Sequence, residues 1–406
     1  MAHIFPFKAL LPSEGLELVV SANIHIDDIN RQKAIVDGNP LTYLNVVRPY
    51  LRLNEPKDPS KHFPLAHQAL LDLIEKKALK YVPEEAVFIY RQTNLKTGDT
   101  FLGLICGVSC DDYFNGHIRK HENTLTEKET QLISHIEYTH VIGEPVLLTH
   151  RTDKNINSLL EDCLPKGELI MDFDDEYGYK HRVCKVTDTN IINTFKSAYQ
   201  VTGDLYIADG HHRSAASAGY FKNNKIQNGK YLAFIVPPEY LKIESFHRAY
   251  KCDEEFDSNA FIDQLKADFE VTLCDEPHKS LKEREFGLYT AGNWYIVTYS
   301  KQCDGLNAVD TLDVSLLENH VFGKILHIED SKTDKQLDFL RGGVSLNELE
   351  AMVDAGKYDL VFTVFPCTIQ EVFDVADNTL IMPPKSTYIE PKMRTGLFIQ
   401  KVTESI

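Results

Sequence analysis

The run from Leu205 to Ala218 constrains this chain more than any other. Leu205-Tyr206-Ile207-Ala208 is a short apolar strand, Asp209-Gly210 turns the chain, and the alanine-rich segment His212 to Phe221 has the character of a helix. A strand that enters a helix through a single glycine leaves the helix's first backbone N–H groups without intrahelical partners, and such an end attracts anions. Gly210 has no Cβ, so an anion can come close to the backbone. Arg213 falls in the first turn and can give phosphate oxygens a two-pronged hydrogen bond. His211 and His212 can donate further bonds, and Ala215, Ala216 and Ala218 let the helix lie close against a sheet. The residues favour a phosphate site here. The competing readings are a metal site made of both histidines with Asp209, and a purely structural turn. Adjacent histidines rarely converge on one ion, and the HExxH pattern is absent.

The rest of the 406-residue chain divides into three regions. In residues 1–110, Ala66, Ala69, Leu70, Leu73, Ile74 and Ala78 fall at helical spacing, with Pro64 expected at the helix start. Two apolar runs follow, Val87–Tyr90 and Phe101–Ile105, and the polar stretch between them predicts a hairpin. Residues 111–250 hold the turn. They also predict a strand at Pro145–Leu148, a helix over 155–164, a hairpin from 168–173 to 179–186, and a strand at 231–236 stopped by Pro237-Pro238. Residues 251–406 mix a helix over 347–353, a strand at 360–365, a helix from Ile369 capped by Thr368, a proline- and lysine-bearing loop over 382–392, and a last strand over 396–401. Irregular alternation with many hairpins predicts an α+β fold rather than a doubly wound sheet.

Charge narrows the partners. Forty-three Lys and Arg against sixty Asp and Glu leave a net charge of −17, which disfavours nucleic acid as a ligand. The eight cysteines form no CxxC pair, so neither a zinc ribbon nor a secreted disulfide framework is expected. The start, Met1 to Phe7, lacks a basic stretch followed by an apolar run, and no apolar segment reaches membrane-span length. A cytoplasmic location without a membrane partner is the expectation; oligomeric state is left open.

A second charged cluster runs from Arg119 through Lys120, His121 and Glu122 to Glu127 and Glu129. One reading is a solvated helix start, capped by Thr124 or Thr126, with Glu127 closing a capping box on Thr124. The other is a carboxylate base beside cations, which a phosphotransfer enzyme needs to deprotonate a hydroxyl and hold phosphates. Spacing does not choose between Glu122 and Glu129.

These motifs together resemble a bacterial family, domain of unknown function 1015. The matching stretches are Gly38-Asn39-Pro40, Ile118 to Glu122 with Thr124, Lys128 and Glu129, Ala208 to Arg213, Phe246-His247-Arg248, Met382 to Tyr388, and Pro391-Lys392. The two central motifs are also similar to those of free L-serine kinases with the ParB/sulfiredoxin fold. That resemblance implies a ParB/sulfiredoxin-like nucleotide-binding core over 111–250. It implies ATP as co-substrate, and a small hydroxyl acceptor, L-serine giving O-phosphoserine. It makes Glu122 the base, with His121 beside it, and Asp209, Gly210, His211, His212 and Arg213 the phosphate-holding turn. It implies Mg²⁺, with Asp209 the nearest candidate ligand. A nucleotide-binding regulator or a hydrolase using the same turn is the alternative. The sequence departs from the family pattern at Ser21 to Ile26, where many members carry PPYDV, and at Tyr50, where many carry an acid after Arg48-Pro49; both departures bear on the acceptor.

Further contacts to substrate or phosphate are expected from Lys120, His247, Arg248, Lys385, Ser386 and Thr387. The acidic run Asp172, Asp174, Asp175 and Glu176 looks like a metal site, but it falls in a hairpin turn, where such residues are expected for backbone reasons.

Overall fold

The computed structural model describes residues 1–22, 29–53 and 58–403. The chain folds as two units, residues 1–241 with 391–406, and residues 242–390.

The first unit is organised by a nine-stranded mixed sheet. In spatial order it runs Ile118–Arg119, Leu205–Asp209, Val146–His150, Lys230–Ile235, Thr100–Ser109, Val87–Asn94, Tyr179–Val186 and Glu168–Asp174, and Ile4–Phe5 adds to Thr100–Ser109. The hairpins expected around 87–105 and 168–186 form as antiparallel pairs, the second with a bulge at Val183 and Cys184. The sheet's central strands are buried on both faces, which is why Val87–Tyr90 and Leu102–Val108 read as continuous apolar runs. A smaller four-stranded sheet joins Leu79–Tyr81, Ala9–Pro12, Ile399–Lys401 and Val141–Ile142. Pairing of Ile399–Lys401 with Ala9–Pro12 returns the last described residues to the first unit.

Three helices build the site's surroundings. His211–Asn223 follows Leu205–Asp209 directly, as the sequence predicts. Ala216 and Ala218 are fully buried, and Ser214 Oγ lies 2.8 Å from Tyr231 Oη on a sheet strand. The polar helix Thr126–Thr139 packs on it, and Pro59–Glu75 packs on that in turn. Two local expectations need correction. Pro64 lies inside the helix Pro59–Glu75 rather than at its start. The helix Thr126–Thr139 has Leu125 at its N-cap with no side-chain cap, so the Thr124–Glu127 capping box does not form. Leu125 N–H instead donates to His212 Nε2 at 3.1 Å. A tertiary partner takes the place of the local cap.

The second unit carries a six-stranded antiparallel sheet, in the order Phe269–Cys274, Asn293–Tyr299, Glu285–Thr290, Leu360–Val364, Phe246–Tyr250 and Leu337–Arg341. Thr368 caps the helix Ile369–Asp377 and forms a capping box with Glu371. The loop expected over 382–392 contains a strand, Tyr388–Glu390, paired with Lys242–Glu244. The chain is therefore a mixed α+β protein with several sheets. Among the described residues no helix is long and apolar enough to cross a membrane.

Candidate functional site

The parallel pairing of Ile118–Arg119 with Leu205–Tyr206 brings the two central motifs together. Parallel neighbours leave a sheet at the same end, so Lys120-His121-Glu122 and Asp209-Gly210-His211 emerge side by side although some ninety residues separate them. Gly210 is the N-cap of His211–Asn223, with φ 96° and ψ 35° in the left-handed region, and no side chain caps that helix. The turn is thus an open helix N-terminus of the kind that binds anions.

His211 does not face outward. It is 4% exposed, and its Nε2 accepts the backbone N–H of His121 at 3.4 Å. Its ring hydrogen therefore sits on Nδ1, which lies 3.4 Å from Glu122 Oε2. Burial, then the neighbouring His121, holds the His211 pKa well below the ordinary histidine value. The contact is a neutral N–H facing a carboxylate, not an ion pair, and it orients the half-exposed Glu122. His121 packs edge-to-face on His211 at 4.5 Å between centroids. Burial pushes its pKa down to about 4, and its Nδ1 is buried with no hydrogen-bond partner.

Arg213 faces the other way and works as a clamp. It donates to Pro145 O and to Asp209 Oδ2, each at 2.7 Å, and pairs with Glu144. Glu144 is 14% exposed; burial pushes its carboxyl up and Arg213 pulls it back down. The second oxygen of Asp209 is met by Lys392 Nζ at 2.8 Å. Both Asp209 oxygens thus face cations, which is a poor fit for a protein-held Mg²⁺, and among the described residues no group of three or more His, Cys, Asp or Glu could hold a metal. Sequence reasoning missed Glu144 and Lys392 as site residues. Lys392 had a signal, since it ends the matched Pro391-Lys392 stretch; Glu144 had none.

Beside the clamp lies a cavity of about 540 Å³, walled by Phe63, Leu132, His135 and Ile136 and reached by Arg48, His212 and Arg213. Arg48 Nη1 donates to Gln32 Oε1. Tyr50, one of the family departures, also lines this cavity. The other departure, Asn23 to Ile26, lies outside the described residues; Ser21 and Ala22 before it are buried.

Lys120 is exposed, with its ammonium 5.6 Å from the Tyr113 ring centroid. His247, Arg248, Lys385, Ser386 and Thr387 belong to the second unit. There Arg248 is 1% exposed, donates to Phe246 O at 2.8 Å and Lys385 O at 3.2 Å, and lies over the Phe339 ring. His247 is fully buried and Ser386 Oγ donates to Pro383 O at 2.7 Å. Arg248 and Ser386 thus bind the loop's backbone, and His247 Nδ1 accepts Val364 N–H at 3.3 Å. Of the acidic run only Asp175 and Glu176 lie in the turn, where Asp175 accepts from Tyr177 N and Tyr179 N at 2.9 Å each and Glu176 pairs with Arg394; Asp172 and Asp174 belong to the strand Glu168–Asp174 and face Lys180.

A family model described as "Protein of unknown function (DUF1015)" matches residues 4–315. The chain belongs to that family. No curated protein matches this DUF1015 member. Among solved structures it is similar to a free serine kinase in complex with AMP (15% identity, TM-score 0.35, covering 72% of this chain and 92% of that one). A conserved hypothetical protein from Pyrococcus furiosus shows 16% identity, TM-score 0.35 and coverage of 72% and 95%. SbnI with a C-terminal truncation, from Staphylococcus aureus, shows 11% identity, TM-score 0.39 and coverage of 74% and 90%.

Proposed function

We propose that this DUF1015 protein is a cytoplasmic small-molecule kinase that transfers the γ-phosphate of ATP to a free hydroxyl amino acid, L-serine by motif resemblance, on a ParB/sulfiredoxin-like core within the first unit. The observation that carries the reading is the meeting of an uncapped, glycine-initiated helix N-terminus with a carboxylate, Glu122, set against His211 at 3.4 Å. Glu122 accepts the proton of the acceptor hydroxyl. That oxygen bonds to the γ-phosphorus while the bond to the bridging oxygen breaks and ADP leaves. Backbone N–H groups at Gly210 to Arg213 hold the phosphates, and His121 and His211 orient the carboxylate. Arg213 acts chiefly by fixing Asp209. Mg²⁺ accompanies the nucleotide as its counter-ion. Catalysis of this kind comes from positioning and charge neutralisation. The partners are nucleotide and acceptor, not nucleic acid or a membrane.

A nucleotide-binding regulator or hydrolase is the second reading. The observation on its side is that Arg213 is already engaged by Asp209, Glu144 and Pro145, which leaves less positive charge to steady a phosphate in transfer.

The test is phosphate transfer by the purified protein with ATP, Mg²⁺ and a panel of free amino acids and small alcohols. The kinase reading expects a phosphorylated acceptor, O-phosphoserine in the serine reaction. Glu122→Gln should lower kcat by about 100- to 10,000-fold, the range for a lost general base, with nucleotide affinity kept. Nucleotide binding or hydrolysis with no phosphorylated acceptor moves the assignment to the second reading.

A further inference from the structure

We infer that the cavity beside Arg213 holds the base and sugar of the nucleotide, and that the nucleotide lies across the first turn of His211–Asn223 with its terminal phosphate toward Glu122. The inference rests on the nucleotide-binding half of the proposed function. It adds where the ligand sits and which chemistry recognises it.

The cavity wall suits a planar ring. Val47, Leu132 and Ile136 are aliphatic, and Phe63 and His135 form an aromatic contact at 6.4 Å between centroids. Tyr50 and His62, also in the lining, meet at 5.5 Å. Ligand sites of this type are mostly apolar with a few placed polar groups. A planar heteroaromatic base gains stacking and desolvation from such walls. Charged side chains, Arg48, Lys128, Glu144 and Arg213, stand in the same lining, so size rather than polarity separates a nucleoside from an amino acid.

The cavity's size points the same way. A cavity of about 540 Å³ falls in the range of sites for nucleoside-sized ligands. It is far larger than an amino acid such as serine.

Consecutive residues of a helix point about 100° apart. His211 turns to Glu122 and His212 turns to the cavity. Gly210, the N-cap, stands at the tip of the turn that carries both histidines. A ligand with its ring in the cavity would pass its phosphates over this turn and reach the carboxylate. The acceptor would then approach Glu122 from its exposed side, 54% open to solvent.

The experiment measures binding of ATP and of inorganic tripolyphosphate to the full-length protein and to two cavity variants. Leu132→Trp fills the cavity and Phe63→Ala removes its ring. Both should weaken ATP binding by 10-fold or more and change tripolyphosphate binding by less than 2-fold, which also reports that the turn is still folded. ATP binding equal to wild type in both variants overturns the inference and gives the cavity to another ligand, while leaving the nucleotide reading in place. Wild-type protein that binds tripolyphosphate as tightly as ATP also overturns it, because the base would then contribute nothing. Wild-type protein that binds neither overturns the nucleotide reading and the inference with it.

Discussion

Gly210 concentrates the site's demands in one residue. Its φ of 96° is a conformation that costs an L-residue about 1–2 kcal/mol. A Cβ there would sit 2.8 Å from Arg213 Nη2. The guanidinium cannot easily yield, because Asp209, Glu144 and Pro145 O hold it. Gly210→Ala should therefore destabilise the protein by about 1–2 kcal/mol and weaken nucleotide binding more than 10-fold. Urea unfolding and ATP titration check this; unchanged ATP affinity would remove Gly210 from the binding turn. At this scale the sequence is informative. A glycine between a strand and a helix that opens on His211, His212 and Arg213 has few other uses, and the local order of residues sets its geometry. The roles of His211 and Arg213 are not legible there. The sequence suggests that both face phosphate, whereas one backs Glu122 and the other clamps Asp209. Side-chain direction depends on what packs alongside, and those partners, Glu122 and Glu144, are distant in sequence.

Elements are joined by buried charges that no local pattern announces. Arg394 is 2% exposed. Its Nε donates to Ser21 Oγ and its Nη2 to Ser21 O, each at 2.8 Å, and its Nη1 faces Asp175 at 3.4 Å and Glu176 at 3.0 Å. It fastens the chain end of the first unit to the turn of the 168–186 hairpin and to the segment before residue 23. Asp175 is itself nearly buried and also faces His181 at 3.2 Å. Removing one partner of a buried pair leaves the other charge uncompensated, at a cost of about 3–5 kcal/mol. Arg394→Ala should show a loss of that order in urea unfolding, and a change below about 1 kcal/mol, typical of exposed pairs, would mean that the network is not a structural joint. The hairpins, the Thr368 cap and the turn helix are readable because periodicity and capping are local. The start of Thr126–Thr139 is not, because the N–H of its N-cap residue is met by His212, a tertiary partner.

The two units should respond differently to acid. In the first, burial holds His121, His135, His150, His181 and His211 below the ordinary histidine value, with His121 at about 4. An unfolded chain binds these protons below about 6.5, and the folded unit does not. Stability is therefore complete above about 6.5 and falls as the pH drops toward 4; His121 alone accounts for about 3 kcal/mol. Glu144, whose carboxyl is raised by burial, opposes this in part. In the second unit, His247, also pushed down to about 4, acts in the same sense. Burial raises Asp313 to about 7, so it binds a proton when folded and stabilises as the pH falls from 7 to 3.8. The two largely cancel. Hydrogen exchange at about pH 7 and about pH 5, on either side of the ordinary histidine value, should show protection lost mainly in residues 1–241, and equal loss in both units would contradict the assignment. The α+β class, the hairpins, the family and the turn at Gly210 are legible in the order of residues, because each depends on residues near one another in the chain. That Glu122 meets the turn, that Lys392 and Glu144 join it, and that a cavity opens beside Arg213 emerges only once the chain is folded. Sheet pairing and helix packing bring those groups together, and they are set by contacts between residues that no local spacing connects.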